Sequence, residues 1–357
     1  MLTKWTPSHL ENLEDGDSLH HYLYGNSGLA SPREWCRESS DLLLDKVVLD
    51  LQDRLQERLV TKKPIHIVDF GSGTGFAVIE LIKKLESINF FKKCFENHIK
   101  VNVFLLDFPH SWFAKGYQLL HNYPFIKFYS LKDLQTGKIL SLKDLFIEQS
   151  IDILIASMVF HLLPLKTLSE IIQDFAFVLK RNGLLLWNSP DIAPALPGSE
   201  LLHDPNRILR KMVLNLLKNE LQHSITSKIS SIDEKLFNKI RQIGNHLTKE
   251  EFEEGSALAK LQILEIPTSH ETIAHLLSQS FDGNITFINA PMTELDSLDL
   301  ISVPANHRHY LFEIKDEKIR LNIIQLLMRH FILPQFYRDK DHRQFNLQWT
   351  LGEFKRK

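Results

Sequence analysis

The residues best suited to chemistry lie in one short stretch, IHIVDFGSGTG, at positions 65 to 75. An apolar run ends there in an acid and leads into a glycine-rich turn. Glycine lets a backbone turn tightly and lets a ligand approach the main chain. A helix after such a turn offers unpaired N–H groups and a partial positive charge. The stretch therefore predicts a site for a nucleotide-like or carboxylate-bearing ligand, formed by Asp69, Gly71, Ser72, Gly73, Thr74 and Gly75.

Two common glycine turns do not match this stretch. The dinucleotide turn needs a glycine in its sixth position, where this chain has Phe76. The phosphate loop needs a Lys-Ser or Lys-Thr pair after its glycines, and none follows here. The pattern that remains is acid-x-Gly-x-Gly-x-Gly.

The elements around the turn alternate between apolar strands and amphipathic helices. This alternation predicts a parallel sheet that is covered on both faces. Ser31, Pro32 and Glu34 predict a capped start for the helix that precedes the first strand. Residues 203 to 280 read as helices only, and the last two strands are expected at 284–290 and 309–314. Strands are expected at 65–70, 100–108, 125–130, 151–160 and 184–189.

Composition limits the partners and the compartment. The 357 residues carry a formal net charge of −2, so no domain-wide basic field favours nucleic acid. Cys36 and Cys94 have no metal-ligand spacing, and we interpret them as free thiols of a cytoplasmic protein. No signal-like segment or bilayer-long apolar run occurs, so no membrane association is expected. No metal site is predicted, and the basic residues at 355–357 are expected to form a solvated terminus.

The Asp69-to-Gly75 pattern resembles the cofactor turn of the class I S-adenosylmethionine-dependent methyltransferases. The resemblance covers residues 60 to 190, and more loosely reaches 314. It implies S-adenosylmethionine as cofactor, with Asp69 near its ammonium group and the backbone of residues 71–75 against its methionine part. The cofactor has no phosphate, which agrees with the missing lysine, and its ammonium calls for a nearby anion.

Later segments extend the resemblance. Asp107 ends the second apolar run and would accept hydrogen bonds from the ribose, while Phe108 would lie on the adenine. Asp107 follows the glycines at more than the usual distance, and we interpret SINFFKKCFENHIK as an insertion. Asp133, a little late after the third strand, is the nearest acid for the adenine amino group. Asn182 replaces a glycine that is common in the family, and asparagine tolerates a left-handed turn.

The segment SMVFHLLP follows the fourth strand and also matches the family's pattern. By the resemblance, Ser157 would lie beside the cofactor and His161 would face the methyl acceptor. A histidine is suited to orient or deprotonate a hydroxyl or a protonated amine near neutral pH. His161 is therefore the candidate catalytic residue, and whether it acts as a base or only orients the acceptor stays open.

The resemblance implies an α/β, Rossmann-like methyltransferase fold with a mostly parallel seven-stranded sheet, helices on both faces and an inserted helical cap. Residues 1–60 are expected to cover the cofactor cleft and residues 61–193 to form the binding core. Residues 194–280 would form the helical cap, and residues 281–357 the last strands with a C-terminal helix or tail.

Three functions are compatible with this interpretation. The first is methyl transfer to an O or N atom of a small molecule, since a helical cap encloses a small acceptor well. The second is an RNA or protein methyltransferase, which basic residues of the expected cap keep open: Arg207, Arg210, Lys211 and Lys218. The third is a non-catalytic interaction module. We expect a monomer or a homodimer.

Overall fold

The computed structural model of the protein describes residues 5–7, 16–17, 20, 23–24, 32–190, 269–293, 296, 298, 316–327, 329 and 344–357. The chain divides into two compact units. The first comprises Met1–Asp191, Ile266–Ala290 and Leu347–Lys357, and the second comprises Ile192–Glu265 and Pro291–Asn346.

Strands and helices alternate through the first unit, as the sequence predicts. The strands are β1 (Ile65–Phe70), β2 (Val101–Asp107), β3 (Ile126–Ser130), β4 (Ile151–Ser157), β5 (Leu179–Pro190), β6 (Phe281–Thr293) and β7 (Gln344–Arg356). The helices are α1 (Glu34–Thr61), α2 (Phe76–Ser87), α3 (Phe90–Glu96), α4 (Ser111–Leu120), α5 (Leu142–Leu145), α6 (Leu165–Val178), α7 (His270–Ser278) and, in the second unit, α8 (Glu317–Leu327). A single 3₁₀ turn spans Phe160–Leu162.

The strands form one sheet in the order β3-β2-β1-β4-β5-β7-β6. The pairs β1–β2, β1–β4, β2–β3 and β4–β5 are parallel, and β7 runs antiparallel to β5. The strand order reverses beside β1, since β2 lies on one side of it and β4 on the other. In sheets of this kind a ligand binds at the carboxyl ends of the strands beside such a reversal. The glycine turn follows β1 directly and therefore lies at that position.

Buried aromatic rings fix the chain just after β4. Phe160 is fully buried, with its ring centroid 5.1 Å from that of Trp187 on β5 and 6.0 Å from that of Phe175 on α6. The Phe175 ring also meets Phe70, at the end of β1, at 5.2 Å. This packing holds the residue that follows Phe160, His161, at the carboxyl edge of the sheet.

A buried carboxylate holds the amino ends of the central strands, at the end of the sheet opposite the glycine turn. Asp152, near the start of β4, is fully buried and accepts hydrogen bonds from Arg58 (2.9 Å) and Lys180 (2.8 Å). It also accepts hydrogen bonds from Arg54 (3.3 Å) and the His66 N–H (2.9 Å). These contacts join α1 to β1, β4 and β5 at the end of the sheet away from the glycine turn.

The start of α1 differs from the prediction. The helix begins at Glu34, with Arg33 as its extended N-terminal cap residue and no side-chain cap. Pro32 precedes the helix instead of starting it, and Ser31 lies outside the described residues. The Arg33 N–H donates to the Leu23 carbonyl oxygen at 2.9 Å. This contact with the N-terminal segment supports an extended Arg33 in place of a capping box.

The C-terminal end is a strand where the prediction placed a helix or tail, although Lys355 and Lys357 are exposed, as expected for a solvated end. Gln344–Arg356 is β7, and Lys355 lies opposite Leu184 in the ladder with β5. The expected strand at 309–314 lies outside the described residues. Gly352 allows the close approach of β7, because a Cβ atom there would lie 2.0 Å from Trp187 Nε1.

The expected boundary of the helical cap also changes. Residues 194–268 lie outside the described residues, as do the basic residues considered for RNA binding. The predicted helix after them is confirmed as α7, which belongs to the first compact unit. Ile273 and Leu277 of α7 are buried in the core together with Phe281. This helix is therefore part of the core, and the expected limit of the cap at residue 280 is too late.

Candidate functional site

The glycine turn between β1 and α2 needs all three of its glycines, for two different reasons. Gly71, Gly73 and Gly75 have φ angles of +69°, +50° and +76°, which disfavour other residues. A Cβ atom on Gly71 would lie 2.5 Å from Val159, and one on Gly75 would lie 2.6 Å from Leu120. A Cβ atom on Gly73 would meet nothing within 4 Å. The outer glycines thus allow packing, and the middle one leaves open space beside the main chain.

Unpaired polar atoms lie in and below this turn. Asp69 is 1% exposed, and its Oδ2 has no hydrogen-bond partner among the described residues. Burial, together with the charge of Asp107, raises the pKa of Asp69 to about 7. The hydroxyl oxygens of Ser72 and Thr74 are likewise buried without a partner in the described part of the chain. Unpaired buried polar groups are unfavourable, so a ligand that supplied partners would be stabilised here.

Asp107, the last residue of β2, is bound to the turn. Its Oδ2 accepts a hydrogen bond from the Gly73 N–H at 2.6 Å, and its Oδ1 accepts one from the Phe108 N–H at 2.7 Å. Phe108 follows with 43% of its surface exposed, which is unusual for a large apolar residue beside a buried strand. The pair therefore presents a fixed carboxylate and an uncovered aromatic ring at the same edge of the sheet.

The sequence analysis did not identify His110, which lies beside this carboxylate. His110 Nε2 is 3.2 Å from Asp107 Oδ1, and His110 Nδ1 accepts a hydrogen bond from the Phe113 N–H at 3.2 Å. The histidine thus caps the N-terminus of α4. A polar residue ahead of an apolar helix was the available signal, but histidine is not among the common N-terminal caps.

The segment after β4 reaches the glycine turn from the other side. Val159 is the residue that a Cβ on Gly71 would meet, so Val159 packs beside the turn. Met158 takes a left-handed φ of +61°. The Ser157 hydroxyl donates to Asn188 Oδ1 at 2.8 Å, and Asn188 Nδ2 donates to Ser39 at 2.9 Å. Ser157 thus has a structural partner in addition to its expected position beside the cofactor.

His161 lies in the 3₁₀ turn and is partly exposed. Its Nδ1 is 3.3 Å from the hydroxyl oxygen of Ser189, which is fully buried on β5. Such a contact can fix the orientation of the imidazole ring. Leu162 and Leu165, which follow, are 54% and 47% exposed and add apolar surface next to His161.

The structure gives Asp133 a local contact within its own turn. Its Oδ1 accepts hydrogen bonds from the N–H groups of Gln135 (2.8 Å) and Thr136 (2.9 Å). These backbone donors lower the pKa of Asp133. The other site residues come together at the carboxyl ends of β1, β2 and β4, whereas one oxygen of Asp133 is committed to its turn.

The described parts of the N-terminal segment pack on the helices that flank the glycine turn. Trp5 stacks on Phe113 of α4 with ring centroids 4.5 Å apart. The ring of Tyr24 lies 5.4 Å from that of Phe76, the first residue of α2, and its hydroxyl donates to Glu80 at 2.9 Å. Tyr22 lies outside the described residues. The expected covering of the cleft by residues 1–60 stays a prediction.

The residues present fit the cofactor that the sequence resemblance implies. Asp69 offers an unpaired carboxylate oxygen to a cation, and Gly73 leaves room for a ligand against the backbone. Asp107 offers a carboxylate to hydroxyl donors, and Phe108 offers an exposed ring to a base. Among the described residues, no group of three or more His, Cys, Asp or Glu side chains is arranged to hold a metal ion.

Comparisons with known proteins support the fold. No protein-family model matches the chain, and no curated protein sequence matches it significantly. The chain is similar to a loganic acid methyltransferase solved with SAH, at 16% identity over 94% of this chain and 97% of that chain, with a TM-score of 0.52. It also matches a phosphoethanolamine N-methyltransferase of Haemonchus contortus, at 11% identity over 96% of this chain and 58% of that chain, with a TM-score of 0.44.

A third match is to the DszA carbon methyltransferase, at 24% identity and a TM-score of 0.33. It covers 42% of this chain, and this chain spans 35% of the DszA chain. The strand order and the likeness to the loganic acid methyltransferase together define the fold. The chain has the α/β fold of the class I S-adenosylmethionine-dependent methyltransferases.

No helix in the described part of the chain is long and apolar enough to cross a membrane. Cys36 and Cys94 are both buried free thiols.

Proposed function

We propose that this protein is an S-adenosylmethionine-dependent methyltransferase that acts on an O or N nucleophile of a small molecule. The observation that carries this proposal is the buried, unpaired carboxylate oxygen of Asp69 beneath a turn with open space at Gly73. A buried carboxylate without a donor is unfavourable unless a ligand or a proton compensates it. A ligand with an ammonium group would do so, and the fold is one that solved methyltransferases share.

Each site residue has a role in holding the cofactor under this proposal. Asp69 would pair with the ammonium group, and the turn from Gly71 to Gly75, with Ser72 and Thr74, would surround the methionine part. Asp107 would accept hydrogen bonds from the ribose hydroxyls, and Phe108 would cover the adenine. Ser157 would lie beside the cofactor. For Asp133, only the oxygen not used by its turn could bind the adenine amino group.

The bound cofactor would supply a methyl group on an electrophilic sulfonium. The chain would then align an acceptor, exclude water and manage one proton. His161 is the residue for that proton, because an imidazole is suited to accept a proton near neutral pH and the Ser189 hydroxyl, 3.3 Å from its Nδ1, can orient the ring. A hydroxyl or a protonated amine would need this help at the moment of attack, whereas a carboxylate would not.

The surroundings of His161 favour a small and partly apolar acceptor. Leu162 and Leu165 expose about half of their surface next to it. The near-neutral charge of the chain offers no general attraction for a nucleic-acid backbone. A methyl acceptor with an apolar body and one hydroxyl or amine would match this combination. We propose a cytoplasmic enzyme that works without a metal, as a monomer or homodimer.

The proposal is tested by following the formation of S-adenosylhomocysteine while purified protein is offered panels of small alcohols, phenols and amines. We expect turnover with at least one panel, and its loss in His161→Ala. His121→Ala is the matched control, because His121 is an exposed histidine whose ring stacks on Tyr117 and hydrogen-bonds to backbone carbonyl oxygens of α4. Turnover with RNA or protein substrates alone would select the second function. Cofactor binding without turnover on any acceptor class would select the interaction module.

A further inference from the structure

His110 has both ring nitrogens committed in the structure. Nδ1 accepts a hydrogen bond from the Phe113 N–H at 3.2 Å, and Nε2 lies 3.2 Å from Asp107 Oδ1. A nitrogen that accepts a hydrogen bond carries no proton, so the neutral ring must carry its proton on Nε2. The Nε2–H group therefore lies beside the Asp107 carboxylate, and one histidine tautomer suits both neighbours.

This contact adds a side-chain N–H group to the two backbone donors of the Asp107 carboxylate. Oδ1 accepts from the Phe108 N–H and lies 3.2 Å from His110 Nε2, while Oδ2 accepts from the Gly73 N–H. A carboxylate offers about four acceptor positions, so about two are left for ligand hydroxyls. Donors on both oxygens oppose rotation of the carboxylate about its Cβ–Cγ bond. His110 supplies the side-chain contact of this set, and a substitution can remove it without changing the backbone.

The ring is held from further directions. The edge of Trp112 lies against His110, with ring centroids 5.7 Å apart and an interplanar angle of 76°. Pro109 precedes the histidine, and its ring restricts the backbone conformation of the loop between β2 and α4. The His110 side chain is 39% exposed, so the ring stands at the rim of the site and not in the core. It touches the proposed cofactor-binding carboxylate without being one of the expected cofactor contacts.

We propose that His110 is a positioning residue for cofactor binding, which holds the Asp107 carboxylate in the orientation that receives the ribose hydroxyls. The proposal rests on the proposed function, because it assigns Asp107 to the ribose. In this role His110 acts through Asp107 and transfers no proton to the acceptor. The Nε2–H tautomer is the one that serves this role, because it caps α4 through Nδ1 and places an N–H group against Asp107.

A simple helix cap is the competing explanation, and His110→Ser separates the two. Serine is a good N-terminal cap and can still accept from the Phe113 N–H, but it is too short to reach Asp107. We expect this variant to keep the thermal stability of the wild type and to bind S-adenosylhomocysteine about three- to tenfold more weakly, as expected for the loss of one modest polar contact with the carboxylate. His121→Ser, at the other end of α4, is the matched control and should bind like the wild type.

A double-mutant cycle makes the dependence on Asp107 measurable. In an Asp107→Asn background, His110→Ser should weaken binding by less than about twofold further, since the group on which it acts is gone. Losses that multiply in the double variant would overturn the positioning role, as would wild-type affinity in His110→Ser. Ring ¹⁵N spectra supply a second readout, in which the His110 proton is expected on Nε2, and a proton on Nδ1 would contradict the proposal.

The two proposals fail differently. If folded wild-type protein does not bind S-adenosylhomocysteine, the proposed function fails, and the role of His110 in it fails as well. If the wild type binds and His110→Ser binds equally well, only the inference about His110 is overturned.

Discussion

The Gly73 N–H donates to Asp107 Oδ2 at 2.6 Å and so joins the turn after β1 to the end of β2. This hydrogen bond links the backbone of the middle glycine of the turn, which faces open space, to one of the two acids at the site. Asp69 is the other acid. Burial raises its pKa, and the nearby charge of Asp107 raises it further. The turn and the two carboxylates therefore behave as one electrostatic unit.

Substitution of the middle glycine, Gly73, should lower cofactor affinity more than it lowers stability. Gly73→Ala is expected to cost roughly 1 kcal/mol of stability, because its φ is +50° but a methyl group there meets no atom within 4 Å. The methyl group would occupy the space that we assign to the cofactor, so binding of S-adenosylhomocysteine should fall at least about tenfold. Thermal melts and calorimetry measure the two effects.

Gly137→Ala is the matched control for this change. Gly137 has a φ of +72°, and a Cβ there also meets nothing within 4 Å, but it lies in the turn held by Asp133. It should lose similar stability and no affinity. Gly75→Ala should be far less stable than either, because its methyl group would lie 2.6 Å from Leu120. Equal loss of affinity in the variants at 73 and 137 would rule out the proposed role of the turn.

The pKa of Asp69, about 7 in the folded protein, makes stability depend on pH. The folded state holds this proton more tightly than the unfolded chain, so wild-type stability should fall as the pH rises from about 4 to 7 and then level off. Asp69→Asn removes the ionisation. It should be more stable than the wild type by roughly 1–4 kcal/mol at pH 8 and no more stable near pH 4.

Cofactor binding should show the opposite trend at Asp69. Pairing with an ammonium group needs the ionised carboxylate, so the affinity of the wild type should rise as the pH approaches and passes 7, and Asp69→Asn should bind weakly throughout. Asp133→Asn is a control for the stability prediction only, since Asp133 is itself among the proposed cofactor residues. Backbone donors lower the pKa of Asp133, so this variant should be less stable than the wild type at pH 8 and equally stable in acid. A pH-independent affinity of the wild type would contradict the role of Asp69.

The buried Asp152 should contribute stability and nothing to binding. Its four donors come from α1, β1 and β5, at the end of the sheet away from the glycine turn. Asp152→Ala leaves buried Arg58 without this partner, which should lower the free energy of unfolding by about 3–5 kcal/mol. Urea titration measures the loss.

Glu96→Ala is the comparison for Asp152. It removes an exposed ion pair, in which the side chain of Lys92 is 71% exposed and that of Glu96 is 56% exposed. This substitution should change stability by less than about 0.5 kcal/mol. If both substitutions had the same small effect, the cluster around Asp152 would not be a structural anchor.

His161 should affect turnover without affecting the cofactor. With an acceptor in hand, His161→Gln should lower kcat by about 10²–10⁴-fold, the range for loss of a general base, while S-adenosylhomocysteine binds as before. A drop in affinity instead, with kcat unchanged, would place His161 at the cofactor and not at the acceptor. His121→Gln again serves as the unaffected comparison.

Much of the fold follows from local patterns. The apolar runs predicted β1 to β5 within a few residues, because each is rich in strand-forming apolar residues. The same runs indicated where a parallel sheet would gather its carboxyl ends. Asn182 does take the expected left-handed conformation, with a φ of +61°. Asp69 and Asp107 were identifiable because each is an acid at the end of an apolar run.

The remaining features depend on contacts that no local pattern contains. Strand β7 pairs with a strand more than 150 residues earlier, and its close approach needs Gly352 opposite Trp187. The alternation of Leu347, Trp349 and Leu351 indicated a strand, but the basic residues that follow this pattern favoured a solvated terminus. His110 was missed because its importance comes from Asp107, which only the folded loop brings to its Nε2. Asp133 was assigned by its place in the chain, and its turn chemistry was overlooked.

The most direct test is a calorimetric titration of the wild-type protein with S-adenosylhomocysteine, beside Gly73→Arg and Gly137→Arg. The account predicts micromolar binding to the wild type and to the variant at 137, and none to the variant at 73, with all three proteins folded. A folded wild type that binds neither S-adenosylhomocysteine nor S-adenosylmethionine would contradict the central claim that this turn holds the cofactor.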